Sequence, residues 1–142
     1  MKKFTNQYWF LIFCSCIIIF FIVLWYKSNQ WTISLQKNSK FTICYVVSDW
    51  HQKNNRGVGA DLEFPVNGIM IKRTTNYDLK KGGKYLVLYD SLKPSNYLLL
   101  YNHQINEKVI APSKGWKFNE IPILIDSTDL KEYFKKLGIK QL

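Results

Sequence analysis

The sequence predicts a mainly β protein: a small antiparallel barrel or sandwich-like domain, preceded by one membrane-spanning helix and followed by an amphipathic helix at the carboxyl end. Three observations predict it. The run from Tyr8 to Tyr26 holds no charge, Phe41 to Ser48 alternates with period two, and Asn67-Gly68 sits between two apolar-alternating runs. Composition agrees, because a chain that is 47% hydrophobic and 16% aromatic is too apolar for a disordered tail and suits a pleated, half-buried surface. Beyond the apolar run, enough chain remains for one hydrophobic core and not for two.

The apolar run comes first. A helix over residues 8–26 is long enough to cross about 30 Å of hydrocarbon. Tyr8 and Trp9 mark one end and Trp25 and Tyr26 the other, at the headgroup level, with Lys3 and Lys27 outside them. A cleaved secretory signal would end its shorter apolar core at small residues, whereas this run ends Leu24-Trp25-Tyr26. Lipoprotein acylation at Cys14 or Cys16 is disfavoured because the apolar run continues through Ile17 to Leu24. Residues 1–7 form a short basic tail and 27–40 read as a polar linker. Lys2 and Lys3 in that short tail, and a long following domain that translocates regardless of charge, favour the amino terminus inside and the domain outside the cytoplasm.

The β domain is expected over 41–126. Phe41, Ile43, Tyr45 and Val47 alternate with Thr42, Cys44, Val46 and Ser48 as a first strand. Asp49 to Ala60, with two Asn and two Gly, reads as a long loop. Asn67-Gly68 then predicts a type I′ hairpin turn, with Val66 opposite Ile69, Phe64 opposite Ile71 and, on the other face, Glu63 opposite Lys72. Pro65 lacks an amide donor, so its side of that strand should be an edge or a bulge. Gly82-Gly83 opens a strand over Lys84 to Tyr89, apolar on both faces and therefore expected at the centre of the sheet. A turn around Pro94 returns it to Tyr97–Tyr101. Ile121 to Ile125 reads as a short strand, and 127–142 as a helix with Leu130, Tyr133, Phe134 and Leu137 on one stripe and Lys131, Lys135 and Lys136 opposite.

Phe64-Pro65-Val66-Asn67-Gly68, then Gly83 through Asp90 with Tyr85, Val87 and Tyr89 alternating, then Pro94 and Leu98, together resemble a family of small bacterial membrane-anchored β-domains of unknown function. The likeness spans about 41–101, and the sequence departs from the pattern at Ser91 and Lys93. The resemblance implies a small barrel-like or sandwich-like fold at a membrane and no particular reaction.

Net charge is +10, and Lys2 and Lys3 are the only basic residues before Lys27, so the domain itself carries +8. Such a field favours anionic partners. For an anchored domain the lipid bilayer is the nearest polyanion, and Lys72, Arg73, Lys80, Lys81 and Lys84 are the expected anionic-surface contacts, some of them near Tyr77 and Tyr85. Nucleic acid would also use basic and aromatic residues together, but a β core needs those aromatics anyway. Cys44, His51 and His103 with Asp49 are the candidates for nucleophilic catalysis or zinc, and their spacing matches no motif of either chemistry. Gly57 and Gly59 lack the lysine and strand-to-helix context of a phosphate loop. No catalytic, cofactor or metal residue is therefore expected. The expected function is a non-enzymatic binding or scaffolding module at the membrane surface. The alternatives are a membrane-tethered immunity or inhibitor protein, using the Asp49–Ala60 loop to bind a toxin or enzyme, and an unrecognised hydrolase.

Overall fold

A computed structural model of the chain describes residues 2–53, 57–106, 108–123, 125, 127–136 and 138. The elements in order are α1 (Lys2–Lys37), β1 (Ser39–Val46), β2 (His51–Lys53), β3 (Gly57–Val66), β4 (Ile69–Thr75), β5 (Lys84–Asp90), β6 (Tyr97–Gln104), a 3-10 turn (Phe118–Glu120) and α2 (Ser127–Lys136). Within α1, the stretch from Tyr8 onward is long and apolar enough to cross a membrane, with a mean hydropathy of 2.6 and no buried share. The stretch expected as a linker is helical through Lys37. Its polar residues carry a sparse apolar pair, Trp31 and Leu35, spaced i and i+4 on one helix face, and both pack against the domain.

The strands form one antiparallel sheet in which β2, β3, β1, β5 and β6 are neighbours in that order and β4 pairs with β3. Leu62 and Glu63 pair with both β1 and β4, so those two strands flank β3 on opposite sides. The sheet is open and not closed into a barrel: β4 and β6 share no ladder, and meet where the Tyr97 hydroxyl donates to the Thr74 carbonyl at 3.2 Å. Both β1 and β5 are interior strands. Being interior, β1 is covered on both faces despite its alternating sequence: Phe41, Thr42, Ile43 and Cys44 are all buried. The stretch expected as a long loop contains β2 and the start of β3, which pair His51↔Gly59 through Lys53↔Gly57. Arg56 lies outside the described residues.

The hairpin is as the turn chemistry requires. Asn67 and Gly68 have φ of 51° and 81°, and the register runs Val66↔Ile69, Phe64↔Ile71 and Glu63↔Lys72. In a two-residue hairpin the residues flanking the turn exchange both bonds, so Pro65 directs its ring nitrogen away from β4 and toward β1. The β1–β3 ladder covers only Tyr45↔Glu63 and Val46↔Leu62 and has ended before Pro65. Beyond that point β1 bonds instead to Trp116, which exchanges two backbone bonds with Phe41 at 2.8 Å, and the Asn67 amide donates to the Ser113 carbonyl. Gly115 fits this inserted segment because its φ is 66° and a Cβ there would lie 2.6 Å from the Tyr89 hydroxyl.

Alternation along the strands separates two cores. Phe41, Ile43, Leu86, Leu88 and Leu100 face Leu35 of α1, Trp116, and Leu130 and Phe134 of α2. Cys44, Leu62, Phe64, Val87, Tyr89 and Leu99 line the other face, which Leu79 covers from the β4–β5 turn. Residue 124 lies outside the described ones; the described residues of the stretch expected as a strand, 121–123 and 125, are not in one, and Ile121, Ile123 and Ile125 pack on the α-helical side. In α2, Leu130 and Phe134 are buried while Lys131 and Lys135 are exposed, as an amphipathic helix requires; Leu137 and 139–142 fall outside the described residues.

Candidate functional site

The sheet has two unlike ends, fixed by how α1 meets it. Only the last turns of α1 pack: side chains from Tyr8 to Gln30 are exposed, with Cys14 half-exposed, and Trp31 and Leu35 are the first to join the core. The strands therefore run away from the helix. The end holding Ser39, Asp90 and Tyr97 is the α1 end, and the end holding Val46, Lys84 and Gln104 is the far end.

At the α1 end the joint is a buried carboxylate. Asp90 is fully buried and accepts from the Ser34 hydroxyl at 2.5 Å, the Leu92 amide at 2.9 Å and the Lys93 amide at 3.2 Å. Asn38 closes α1 by donating its backbone and side-chain amides to the Ser34 carbonyl, and its own carbonyl accepts from the Ser91 amide at 3.0 Å. Helix end and β5–β6 turn are thus one hydrogen-bonded unit. A buried carboxyl group held this way is costly to disturb, because these hydrogen bonds compensate it for leaving water.

The far end carries a rim of exposed polar and aromatic residues. Asp61 organises it: its amide donates to the Ser48 hydroxyl oxygen at 2.9 Å, its carboxylate accepts from Ser48 at 3.4 Å and from the Thr74 hydroxyl at 3.1 Å, and the His51 Nε2 stands 3.8 Å away. His51 Nδ1 lies 2.8 Å from the Asp49 carbonyl oxygen, and the Asp49 carboxylate accepts the Lys81 amide at 2.8 Å. Trp50 is half-exposed beside it. Tyr77 and Tyr101 stack with ring centroids 4.3 Å apart.

Ser48, His51 and Asp61 have the residue types of a hydrolytic triad without its geometry. In a triad the serine faces the imidazole nitrogen left free as a base, and the acid orients the other nitrogen. Here Nδ1, the nitrogen nearer Ser48, donates to the Asp49 carbonyl, and the serine hydroxyl bonds directly to the carboxylate. This arrangement braces the rim and gives Ser48 no imidazole base. Cys44 is buried in the second core, and burial pushes its thiol up to about 12, which keeps it protonated. Among the described residues no three His, Cys, Asp or Glu side chains are grouped to hold a metal ion.

The structure divides the five basic residues expected to form one anionic contact. Lys72 pairs with Glu63 at 3.1 Å. Arg73, the next residue on β4, points to the opposite face, where it is half-buried, donates to the Lys72 carbonyl and acts on Tyr97. Burial raises the Tyr97 phenol, against the pull of that guanidinium, and burial likewise raises Tyr89. Lys84 is half-buried with its ammonium 6.0 Å from the Tyr45 ring centre. Lys80 and Lys81 are in the β4–β5 turn at the far end. All five lie in the half of the sheet remote from α1, since Lys84 and Glu63 both pair with Tyr45. Lys72 and Arg73 face opposite sides of the sheet, and all five lie away from the end that the helix enters.

Ser34 and Asp90 gave no signal in the sequence, being single polar residues separated by most of the sheet. The rim aromatics had a faint one, in Trp50-His51 within a polar stretch and Tyr77 beside a turn. No family model, curated protein or solved structure matches the chain.

Proposed function

We propose that α1 crosses a membrane once and that the domain is a non-enzymatic binding or scaffolding module, held beside the bilayer on the extracytoplasmic side. The observation that carries this reading is the joint: an exposed apolar helix continues without a break into the core and is locked to the sheet through Asp90. Such a joint supports a fixed presentation of the far rim, with Trp50 and the Tyr77–Tyr101 pair available to a protein partner. Buried aromatic anchors dominate the energetics of protein interfaces, and exposed ones of this kind are what a partner would bury.

A photo-crosslinker placed at Trp50 in the full chain in cells tests it. A discrete protein adduct, absent when the crosslinker replaces Lys93 at the α1 end, is the expected result. No adduct from either position, or enzymatic turnover by the purified chain that Cys44→Ala or His103→Ala abolishes, would overturn it. A tethered immunity or inhibitor protein is the second reading, favoured by the exposed Trp50 and His51 within the stretch 49–60. An adduct identified as a toxin or hydrolytic enzyme would select it.

A further inference from the structure

We propose that the α1 end of the domain is a base that recognises anionic lipid headgroups, formed by Lys37, Lys93, Lys114 and Lys117 around the exposed Leu92, with Lys40 beside them. The proposal rests on the reading that α1 spans a membrane, and it names the bilayer as the partner of this end.

These lysines come from four separate segments. Lys37 closes α1 and Lys40 opens β1; Leu92 and Lys93 form the β5–β6 turn; Lys114 and Lys117 flank Trp116 where it pairs with Phe41. Lys37, Lys93, Lys114 and Lys117 are exposed, Lys40 is half-buried, and Leu92 is 80% exposed at the tip of a turn clamped to the helix. Among the described residues, two acidic groups lie at this end: Asp90 is buried, and Glu120 is exposed and accepts the Lys117 amide. In the half remote from α1, by contrast, Lys72, Arg73, Lys80, Lys81 and Lys84 are interspersed with Asp49, Asp61, Glu63 and Asp78. Five lysines against two described carboxylates, one of them buried, therefore stand on the side from which the apolar helix leaves.

The separation is of the right order. From Tyr26 to Lys37 the helix rises about 16 Å, of which the headgroup layer occupies about 5–8 Å. The remaining gap is close to the physiological Debye length of about 8 Å. An ordinary helix tilt of about 20° lowers one side of the domain further. Lysine side chains shorten that distance, and attraction to an anionic leaflet favours the tilt that brings Leu92 down into the headgroups.

The test uses the full chain with Cys14→Ala and Cys16→Ala, an environment-sensitive fluorophore on Leu92→Cys or Lys81→Cys, and nanodiscs of phosphatidylcholine alone or mixed equally with phosphatidylglycerol. The Leu92 probe should shift to the blue and be quenched several-fold more strongly by a lipid-borne quencher in the anionic discs. Added salt, or Lys93→Gln with Lys114→Gln and Lys117→Gln, should remove the difference, and the Lys81 probe should not respond. A Leu92 probe that behaves like the Lys81 probe in both lipids, or a response at Lys81 instead, overturns the proposal. A chain that does not co-elute with the discs at all overturns the spanning reading beneath it.

Discussion

At the α1 end of the sheet, a fully buried carboxylate gathers donors from the helix and the β5–β6 turn. At the far end another carboxylate, Asp61, gathers Ser48 and Thr74 with His51 nearby, but the His51 and Asp61 side chains are 46% and 36% exposed. The hydrogen-bond inventories are similar and the solvent is not. Buried polar groups lose their partners at full desolvation cost, whereas exposed ones are re-solvated when a partner goes. The first arrangement fixes the domain on its helix; the second shapes a surface that can change at little cost to the fold.

The sharpest way to break this contrast is to remove one member at each end. Asp90→Ala strands the Ser34 hydroxyl and two turn amides and should destabilise the domain by about 3 kcal/mol. His51→Ala, on the rim, should stay within about 0.5 kcal/mol. Denaturant midpoints of the full chain in detergent measure both, and equal effects would erase the distinction between the ends.

Alkaline pH probes the second core, beneath the rim. The folded values of Cys44, Tyr89 and Tyr97 are raised by burial, so each favours its neutral form in the fold. Their contribution is fully present below the unfolded values and is lost as pH rises through the folded ones. For Cys44 that window runs from its ordinary 9.0 to about 12. Stability should fall across it, and Cys44→Ala should flatten the fall, as a pH series of thermal melts would record.

Thr42 sharpens the contrast from the other direction. It is fully buried, and among the described residues its hydroxyl has no hydrogen-bond partner. Thr42→Val keeps the shape and removes the desolvation cost, and should stabilise by about 1 kcal/mol in the same denaturation assay. The smallest effect belongs to the Glu63–Lys72 pair. Lys72 is largely exposed, so Lys72→Ala should cost at most about 0.5 kcal/mol and less in high salt.

Local chemistry made part of the fold legible in advance. The Asn67-Gly68 turn fixes its own register because both residues take positive φ, and Pro65 marks where the β1–β3 ladder stops. Leu130 and Phe134 likewise reveal the buried stripe of α2. What depends on distant segments was not legible. Whether the sheet closes is decided by how β4 and β6 meet, and they meet through one Tyr97 side chain, not a ladder. The helical course of 27–37 rests on Trp31 and Leu35 finding a core assembled from later strands. The basic residues near one another in sequence, Lys72 and Arg73, were assigned together, yet strand alternation sends them to opposite faces. The lysines that do share one end come from four segments with no common motif.

The central claim is that α1 and the sheet are one rigid unit, with the far rim held away from the helix. Spin labels at Gln30→Cys and Lys81→Cys, in the full chain with Cys14→Ala and Cys16→Ala, test it directly by pulsed dipolar spectroscopy in nanodiscs. One narrow distance population, broadened by Asp90→Ala, is predicted. A broad distribution in the chain that keeps Asp90 would show a flexible tether and contradict the account.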